Sequence, residues 1–184
     1  MRSVADFYQD CISAVGQQPP LDVQLPDAVG CVLAEDVEAP FNLPVADLAA
    51  CDGYAVAAAD LEGARPDAPV VLPVTEEIRA GDIHPAALIR GRAIRIASGA
   101  PMPQGADAVL ALEFSDHGIS KVSAKTQPAV GENIRRKAED VEEGTVVLRA
   151  GTRVGARQVA LLAGVGRSRV LVHPRPRVVI LSIG

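Results

Sequence analysis

Apolar residues at the start of the chain recur at the spacing of one helical face. Ser3 followed by Asp6 forms a variant capping box, which marks the beginning of a helix, and Gly16 with the Pro19-Pro20 pair marks its end. The pattern therefore predicts a first helix with an apolar stripe made of Val4, Phe7, Tyr8, Cys11, Ile12 and Val15.

The middle of the chain has the pattern of a β domain. Short apolar runs alternate there with clusters of Gly, Pro and Asp, which are the residues that bound strands. A short helical turn after Pro26 and an extended segment at 31–37 precede this region. The pattern predicts strands at 54–57, 70–74, 93–97, 108–112 and 119–123.

A second helix is predicted at 156–163, where apolar residues precede Gly164 and Gly166. Its apolar face needs a partner, because an isolated short helix is not stable in water. The first helix is the natural partner, since the β region otherwise separates two lone helices. We therefore expect the two ends of the chain to build one domain together.

These elements predict an α+β fold that is predominantly β, in which a helix-containing linker domain is built from both chain ends around an inserted β-rich domain. The linker domain is expected at residues 1–42 and 143–174, and the inserted domain at 43–142. The Pro-Arg-Pro sequence at 174–176 predicts a stiff linker. The unbroken β-branched run after it resembles a buried parallel strand, so 175–184 is expected to be the first strand of a truncated α/β domain.

The composition excludes several classes of protein. With 184 residues, 48% hydrophobic residues and a net charge of -5, the chain belongs among soluble globular proteins. Its 3% aromatic content and acidic balance argue against nucleic-acid binding, which uses stacking rings on a basic groove. No apolar run reaches the roughly 18 residues of a membrane span, and the N-terminus lacks a signal-peptide core. We expect a cytoplasmic protein with neither a membrane nor a nucleic-acid partner.

Cysteine, histidine and overall charge give weaker signals. Three cysteines without C-x-x-C spacing predict free thiols, and the scattered His84, His117 and His173 predict no histidine metal site. Residues 1–127 contain 8 basic against 18 acidic residues, whereas residues 128–184 contain 10 against 5. This polarity favours an anionic ligand near the basic part and a metal on carboxylates elsewhere, although a solvated surface gives the same pattern.

Two strand ends carry candidate chemistry. Asp52 precedes Gly53 at the start of a predicted strand, and Asp-Gly is also a common turn. Ser98 precedes Gly99 at the end of another predicted strand, where backbone amides of a bend can hold an oxyanion. A plain loop is the alternative interpretation of the second segment.

A third segment combines cations and acids. Arg135, Arg136 and Lys137 lie close to Glu139 and Asp140. Arginine suits bidentate recognition of phosphate, and an aspartate can hold Mg²⁺ together with waters, while a surface salt-bridge cluster is the alternative. The chain contains no Walker loop, G-x-G-x-x-G or G-x-S-x-G motif, so dinucleotide binding and nucleophilic hydrolysis are not indicated.

Taken in order, these segments resemble the N-terminal and linker region of the MoeA family, the molybdopterin molybdenumtransferases that include the gephyrin E domain. The resemblance runs from about Leu21 to the end of the chain. It is carried by the segments 21–37, 50–56, 95–101, 105–109 with Glu113, 131–135, 139–141, 161–166, 170–172 and 176–178.

The resemblance implies Mg²⁺-dependent insertion of molybdate into adenylylated molybdopterin, with release of AMP, in molybdenum cofactor synthesis. By position, it implies catalytic roles for Asp52, Ser98 and Asp140, the two aspartates also holding the metal. Ser98 stands where the family commonly has Thr. The substrate-binding residues implied are Gly53, Gly99, Arg135 and Arg136.

The resemblance also implies partners. Family members act as homodimers whose cleft pairs the pterin-binding α/β domain of one subunit with the linker domains of the other. That domain would follow Gly184 in cis or be supplied in trans, so we expect this chain not to catalyse insertion alone. A molybdopterin adenylyltransferase is the expected upstream partner. A non-catalytic dimerisation or scaffold module is the alternative function.

The chain departs from the family pattern in two places. Ala138 stands before the Glu-Asp pair, where the family usually has Gly. Leu-Ala-Ala at 48–50 replaces an Asn- or Ser-rich approach to the Asp-Gly-Tyr sequence. The first change bears on the shape of a loop, and the second on polar contacts near Asp52.

Overall fold

The computed structural model describes residues 2–83 and 87–182, so His84, Ile183 and Gly184 lie outside the described residues. In chain order the elements are α1 (Val4–Ser13), β1 (Leu21–Gln24), α2 (Leu25–Ala28), β2 (Val32–Leu33), β3 (Val37–Glu38), β4 (Leu48–Ala49), β5 (Gly53–Val56), β6 (Val70–Ile78), β7 (Ala93–Ile96), β8 (Ala108–Ala111), β9 (Lys121–Ala124), β10 (Ile134–Arg135), β11 (Val146–Leu148), α3 (Ala156–Gly164) and β12 (Arg169–His173). The chain divides into a discontinuous unit, Met1–Phe41 with Glu143–Gly184, and a continuous unit, Asn42–Glu142.

The first helix begins at the predicted capping box. Ser3 Oγ accepts a hydrogen bond from the Asp6 N–H at 3.1 Å, and the Asp6 carboxylate accepts one from the Ser3 N–H at 3.3 Å. No residue of α1 is buried. The prediction that α1 packs against the second long helix is therefore wrong, because the apolar stripe of α1 stays exposed.

Helix α3 packs against α2 instead. Leu25 and Ala28 of α2 share one core with Leu162 of α3 and with Val170 and Val172 of β12. Helix α2 follows β1 directly, and β1 pairs with β12. This pairing positions α2 against the core. The predicted helical turn is thus present, but four residues are too few for an apolar stripe to identify it as the partner.

The continuous unit is built on a five-stranded sheet in the order β8-β5-β7-β6-β9. Strands β6 and β7 are parallel, and the other neighbours are antiparallel. Along β5, Tyr54 and Val56 face one core and Ala55 faces another, so both faces of the sheet are buried at this strand. The five predicted strands are present, and the predominantly β α+β class is confirmed.

The chain enters and leaves the continuous unit side by side. Within this unit the Leu43 N–H donates to the Val141 oxygen at 2.8 Å, and the Val141 N–H donates back at 3.1 Å. Within the discontinuous unit, Ala39 pairs in the same way: its N–H donates to the Thr145 oxygen at 2.9 Å and its oxygen accepts from the Gly144 N–H at 2.9 Å. In each unit, hydrogen bonds therefore join the segment that leads into the boundary to the segment that returns from it.

The apolar run near the C-terminus is exposed. Residues 174–182 form neither helix nor strand, and Val178, Val179, Ile180 and Leu181 are all exposed. The strand predicted there is absent from the described residues, because an extended run becomes a strand only where another strand pairs with it. Among the described residues, no helix has the length and apolar character that crossing a membrane requires.

Candidate functional site

Asp52 lies at the start of β5, directly before a tightly packed glycine. A Cβ on Gly53 would lie 2.2 Å from the backbone oxygen of Leu110 in the neighbouring strand β8. The Asp52 side chain is exposed, and its Oδ1 accepts a hydrogen bond from the Ser98 N–H at 2.7 Å. The structure therefore brings Asp52, Gly53 and Ser98 together at one end of the sheet.

The turn that follows β7 presents the Ser98 hydroxyl. Gly99 has φ +77°, a conformation that glycine adopts without steric cost, and its N–H donates to the Ala49 oxygen at 2.8 Å. Ser98 Oγ donates only a long hydrogen bond, of 3.4 Å, to the Ala50 oxygen. An exposed hydroxyl with so long a hydrogen bond is available to donate to an anion.

The cationic segment pairs with the strand that leads towards Asp52. Strand β10 pairs with β4 and places Arg135 opposite Leu48. Arg135 Nη2 contacts Asp140 Oδ2 at 2.5 Å, and Arg136 Nη1 contacts Asp47 Oδ2 at 2.7 Å. Both ion pairs are largely exposed, so each contributes about 0–1 kcal/mol.

The two aspartates expected to hold a metal make separate contacts. Asp52 contacts Ser98, whereas Asp140 contacts Arg135. Within residues 2–83 and 87–182, no hydrogen bond joins Asp52 to Asp140, and no group of three or more His, Cys, Asp or Glu side chains could hold a metal ion. Asp52 Oδ2 and Asp140 Oδ1 accept no hydrogen bond from this part of the chain.

A cavity of about 120 Å³ adjoins Asp52. Arg95 of β7 and Glu77 of β6, which are opposite each other in the sheet, also line it. Neither residue was predicted from the sequence, although a signal existed. Because side chains alternate along a strand, Arg95 falls on the same face as the buried Ala93, and a charge at such a position needs a partner or a ligand. The other lining residues are Gly53, Ile96, Ala97 and Leu112.

Comparison with known proteins places the chain in a family. The profile of the MoeA N-terminal region (domain I and II) matches residues 2–166. The chain belongs to this family. The resemblance to MoeA proteins inferred from the sequence motifs is therefore confirmed.

Relatives of this MoeA N-terminal region are longer proteins. Molybdopterin molybdenumtransferase 2 of Mycobacterium tuberculosis (strain H37Rv) is 42% identical over 184 residues, which are 100% of this chain and 45% of the relative. Molybdopterin molybdenumtransferase of Bacillus subtilis (strain 168) is 39% identical over 166 residues, covering 88% of this chain and 39% of the relative. The crystal structure of the molybdopterin biosynthesis moeA protein from Pyrococcus horikoshii OT3 has a TM-score of 0.79 and 38% identity, covering 85% of this chain and 42% of that chain. The chain spans less than half the length of these relatives.

Ala138 lies at a position with a glycine-like backbone. Its φ is +64°, in the left-handed region that is unfavourable for residues with a Cβ. The Ala138 N–H donates to the Pro44 oxygen at 3.0 Å, and the Asp140 N–H donates to the Leu43 oxygen at 2.9 Å. These hydrogen bonds hold the loop in the conformation that suits glycine, although alanine occupies it.

Carboxylates surround Cys51 in this MoeA N-terminal region. Burial raises the pKa of the Cys51 thiol, and the negative charges of Glu113, Asp52 and Glu132 raise it further. The surroundings of Asp52 are therefore electronegative and favour a cation over a thiolate. At Asp47, by contrast, the hydrogen bond from the Lys137 N–H, at 2.8 Å, lowers the pKa of the carboxyl group.

Proposed function

We propose that this chain is part of a molybdopterin molybdenumtransferase, which inserts molybdate into adenylylated molybdopterin with release of AMP. The observation that carries the proposal is the contact of Asp52 Oδ1 with the Ser98 N–H, at 2.7 Å, beside a cavity that Asp52 and Arg95 both line. The names of the relatives from Mycobacterium tuberculosis and Bacillus subtilis support the same reaction class.

Asp52 and Ser98 would orient the reactants. The hydrogen bond from the Ser98 N–H fixes one oxygen of the Asp52 carboxylate and leaves the other for a ligand. The Ser98 hydroxyl can exchange its 3.4 Å hydrogen bond for one to an oxyanion. Gly99 is exposed and would let a substrate approach the backbone closely, whereas Gly53 is buried against Leu110 and would fix the position of Asp52.

Mg²⁺ is the metal that we propose. In proteins this ion keeps several waters and is held by one or two carboxylates together with substrate phosphates. Asp52 and Asp140 fit that pattern, because each has one carboxylate oxygen that accepts no hydrogen bond from the described residues. Bound Mg²⁺ would supply positive charge between the anionic reactants. Because the two aspartates are in separate contacts, each would act as an individual ligand.

Arg135 and Arg136 would bind the phosphate groups of the substrate. Their present partners, Asp140 and Asp47, are held by exposed ion pairs of about 0–1 kcal/mol each. A phosphate that accepts two parallel hydrogen bonds from a guanidinium forms a stronger pair than these. Arrival of substrate would therefore release both arginines from these ion pairs and leave both oxygens of Asp140 to the metal.

The proposed protein works with partners. We propose a cytoplasmic homodimer in which a pterin-binding domain, in cis or in trans, completes the cleft, and to which a molybdopterin adenylyltransferase delivers the substrate. The exposed apolar stripe of α1, which includes Val4 at 88% and Phe7 at 60% exposure, supports an association surface on the discontinuous unit. Sedimentation of the full gene product at micromolar concentration tests the dimer, and a clean monomer would contradict it.

Activity is tested with the full gene product in cells that lack their own molybdopterin molybdenumtransferase. Asp52→Asn keeps an oxygen for the Ser98 N–H but removes the negative charge, so it should lower molybdenum cofactor formation about 100-fold, the scale of losing one electrostatic contact in an active site. Ser98→Ala should have an effect of the same kind. The readout is cofactor content together with the activity of a cofactor-dependent enzyme.

The matched control is Asp67→Asn, which removes the same charge from an exposed aspartate that forms an ion pair with Arg65. This variant should match the wild-type protein. Full activity of both Asp52→Asn and Ser98→Ala, at wild-type protein levels, would remove these residues from the mechanism. Loss of activity in Asp67→Asn as well would point to a general charge effect and contradict the specific role of Asp52.

A further inference from the structure

Arg95 is a charged side chain on β7, the central strand of the five-stranded sheet. On β7 it lies opposite Tyr54 of β5 and Glu77 of β6. Its strand neighbours Ile94 and Ile96 are buried, whereas Arg95 is half-buried. Partial burial of a guanidinium is unfavourable unless its donors find acceptors.

The neighbours of Arg95 do not satisfy it. The Tyr54 hydroxyl donates to the Gly118 oxygen at 2.9 Å, and the Glu77 carboxylate contacts Arg79 at 3.5 Å. Within the described residues, the Arg95 side chain has no hydrogen bond and no ion pair. Its five N–H donors are therefore available to a ligand.

Space for a ligand exists beside this side chain. Arg95 lines the cavity of about 120 Å³ that reaches Asp52, and a second one of about 230 Å³ that reaches Thr75 and Ile119. The smaller cavity holds the volume of about four water molecules, at about 30 Å³ each, which is enough for a small tetrahedral anion.

We propose that Arg95 binds a tetrahedral oxyanion in the cavity that it shares with Asp52. For the identity of the anion this inference rests on the proposed function: either molybdate or a phosphate group of the nucleotide-bearing substrate has the required shape and charge. The planar guanidinium offers two parallel N–H donors to two oxygens of such an anion. Arg95 is thus a substrate-binding residue on strand β7, separate from the Arg135 segment.

The charges around the cavity predict that a divalent cation strengthens this binding. Asp52 and Glu77 outweigh Arg95 by one negative charge among the lining residues. An anion is repelled by that balance, whereas a divalent cation on the carboxylates reverses its sign. Anion and Mg²⁺ should therefore raise each other's affinity by the same factor.

The test is a direct binding measurement on the ¹⁵N-labelled 184-residue chain by nuclear magnetic resonance. Molybdate and inorganic phosphate are titrated in separate experiments, each with and without Mg²⁺. The Arg95 Nε–H signal and the amide signals of Ala97 and Ser98 should shift in a saturable manner, and the affinity should be higher with Mg²⁺. The amide signal of the buried Val122 should not shift. The anion with the higher affinity identifies which of the two sources the subsite serves.

Three variants separate Arg95 from general electrostatics. Arg95→Gln should weaken anion binding about tenfold or more, because a charge-assisted hydrogen bond is lost. Arg95→Lys keeps the charge without the planar fork and should bind with intermediate affinity. Arg92→Gln makes the same charge change at an exposed arginine three residues earlier and should leave binding unchanged. Unchanged sheet amide signals establish that each variant is folded.

The proposal is overturned if neither anion gives saturable shifts, or if Arg95→Gln and Arg95→Lys bind as the wild-type chain does. It is also overturned if Arg92→Gln weakens binding as much as Arg95→Gln. Because binding is measured without turnover, its failure is separate from failure of the proposed function. Saturable binding at Arg95 would stand even if Asp52→Asn proved fully active in cells.

Discussion

Replacing Ala138 by glycine should stabilise the protein. At φ +64° the Cβ of Ala138 crowds the following carbonyl, a conformation that costs about 1–2 kcal/mol for a residue with a side chain. Glycine removes that cost but gives the unfolded chain more freedom, which costs about 0.4–1 kcal/mol. The midpoints of these ranges predict a net gain of about 0.8 kcal/mol in the free energy of unfolding.

The measurement is urea denaturation of Ala138→Gly beside the wild-type chain, with thermal denaturation as a second readout. The expected gain corresponds to a rise in Tm of about 1–4 °C for a chain of this size. Ala129→Gly is the matched control, because Ala129 is exposed in the same unit and has no positive φ. The control should lose about 0.4–1 kcal/mol. If Ala138→Gly lost as much stability as the control, the strain argument would be refuted.

Three further results are expected. Gly53→Ala should lower the free energy of unfolding, measured in urea, by about 1–3 kcal/mol, because its Cβ would meet a backbone oxygen at 2.2 Å. Gly164→Ala, with open space around it, should cause no such loss. Equal effects of the two variants would contradict the packing argument. The lowered pKa of Asp47 contributes stability that is fully present above its ordinary value of 3.8 and is lost as the pH falls through the lowered pKa. Asp47→Asn should therefore flatten the dependence of the free energy of unfolding on pH in that window. An unchanged slope would exclude this contribution. Burial and nearby carboxylates raise the pKa of Cys51, so iodoacetamide at mildly alkaline pH should modify the exposed Cys11 before Cys51. Mass spectrometry measures the two modification rates, and equal rates would argue against the electronegative surroundings of Cys51.

Local signals in the sequence were sufficient for most elements. The capping box at Ser3 joins residues three apart, and the strand pattern around Tyr54 extends over four residues, so both depend on near neighbours. Packing partners depend on distant residues instead. Leu25 reaches Leu162 because β1 pairs with β12, and no local pattern contains that register.

The same distinction applies to the site. The family motifs identified Asp52 and Ser98 singly, but their contact depends on the register of β5 against β7, which joins residues 46 positions apart. Arg95 lies inside one of those motifs and went unnoticed. Only the structure shows that Arg95 lies opposite Glu77 in the sheet and lines a cavity, where its guanidinium has no hydrogen-bonded partner among the described residues.

Because Ala39 and Thr145 are paired where the chain passes between the two units, the continuous unit can be removed or transferred as a whole. Strand β3 pairs with β11 on the near side of that crossing, so cutting out residues 42–142 would leave two strands that a turn of about two to five residues can join into an ordinary hairpin. In the excised piece, Leu43 and Val141 remain hydrogen-bonded to each other, which gives it neighbouring ends suited to grafting into another host protein.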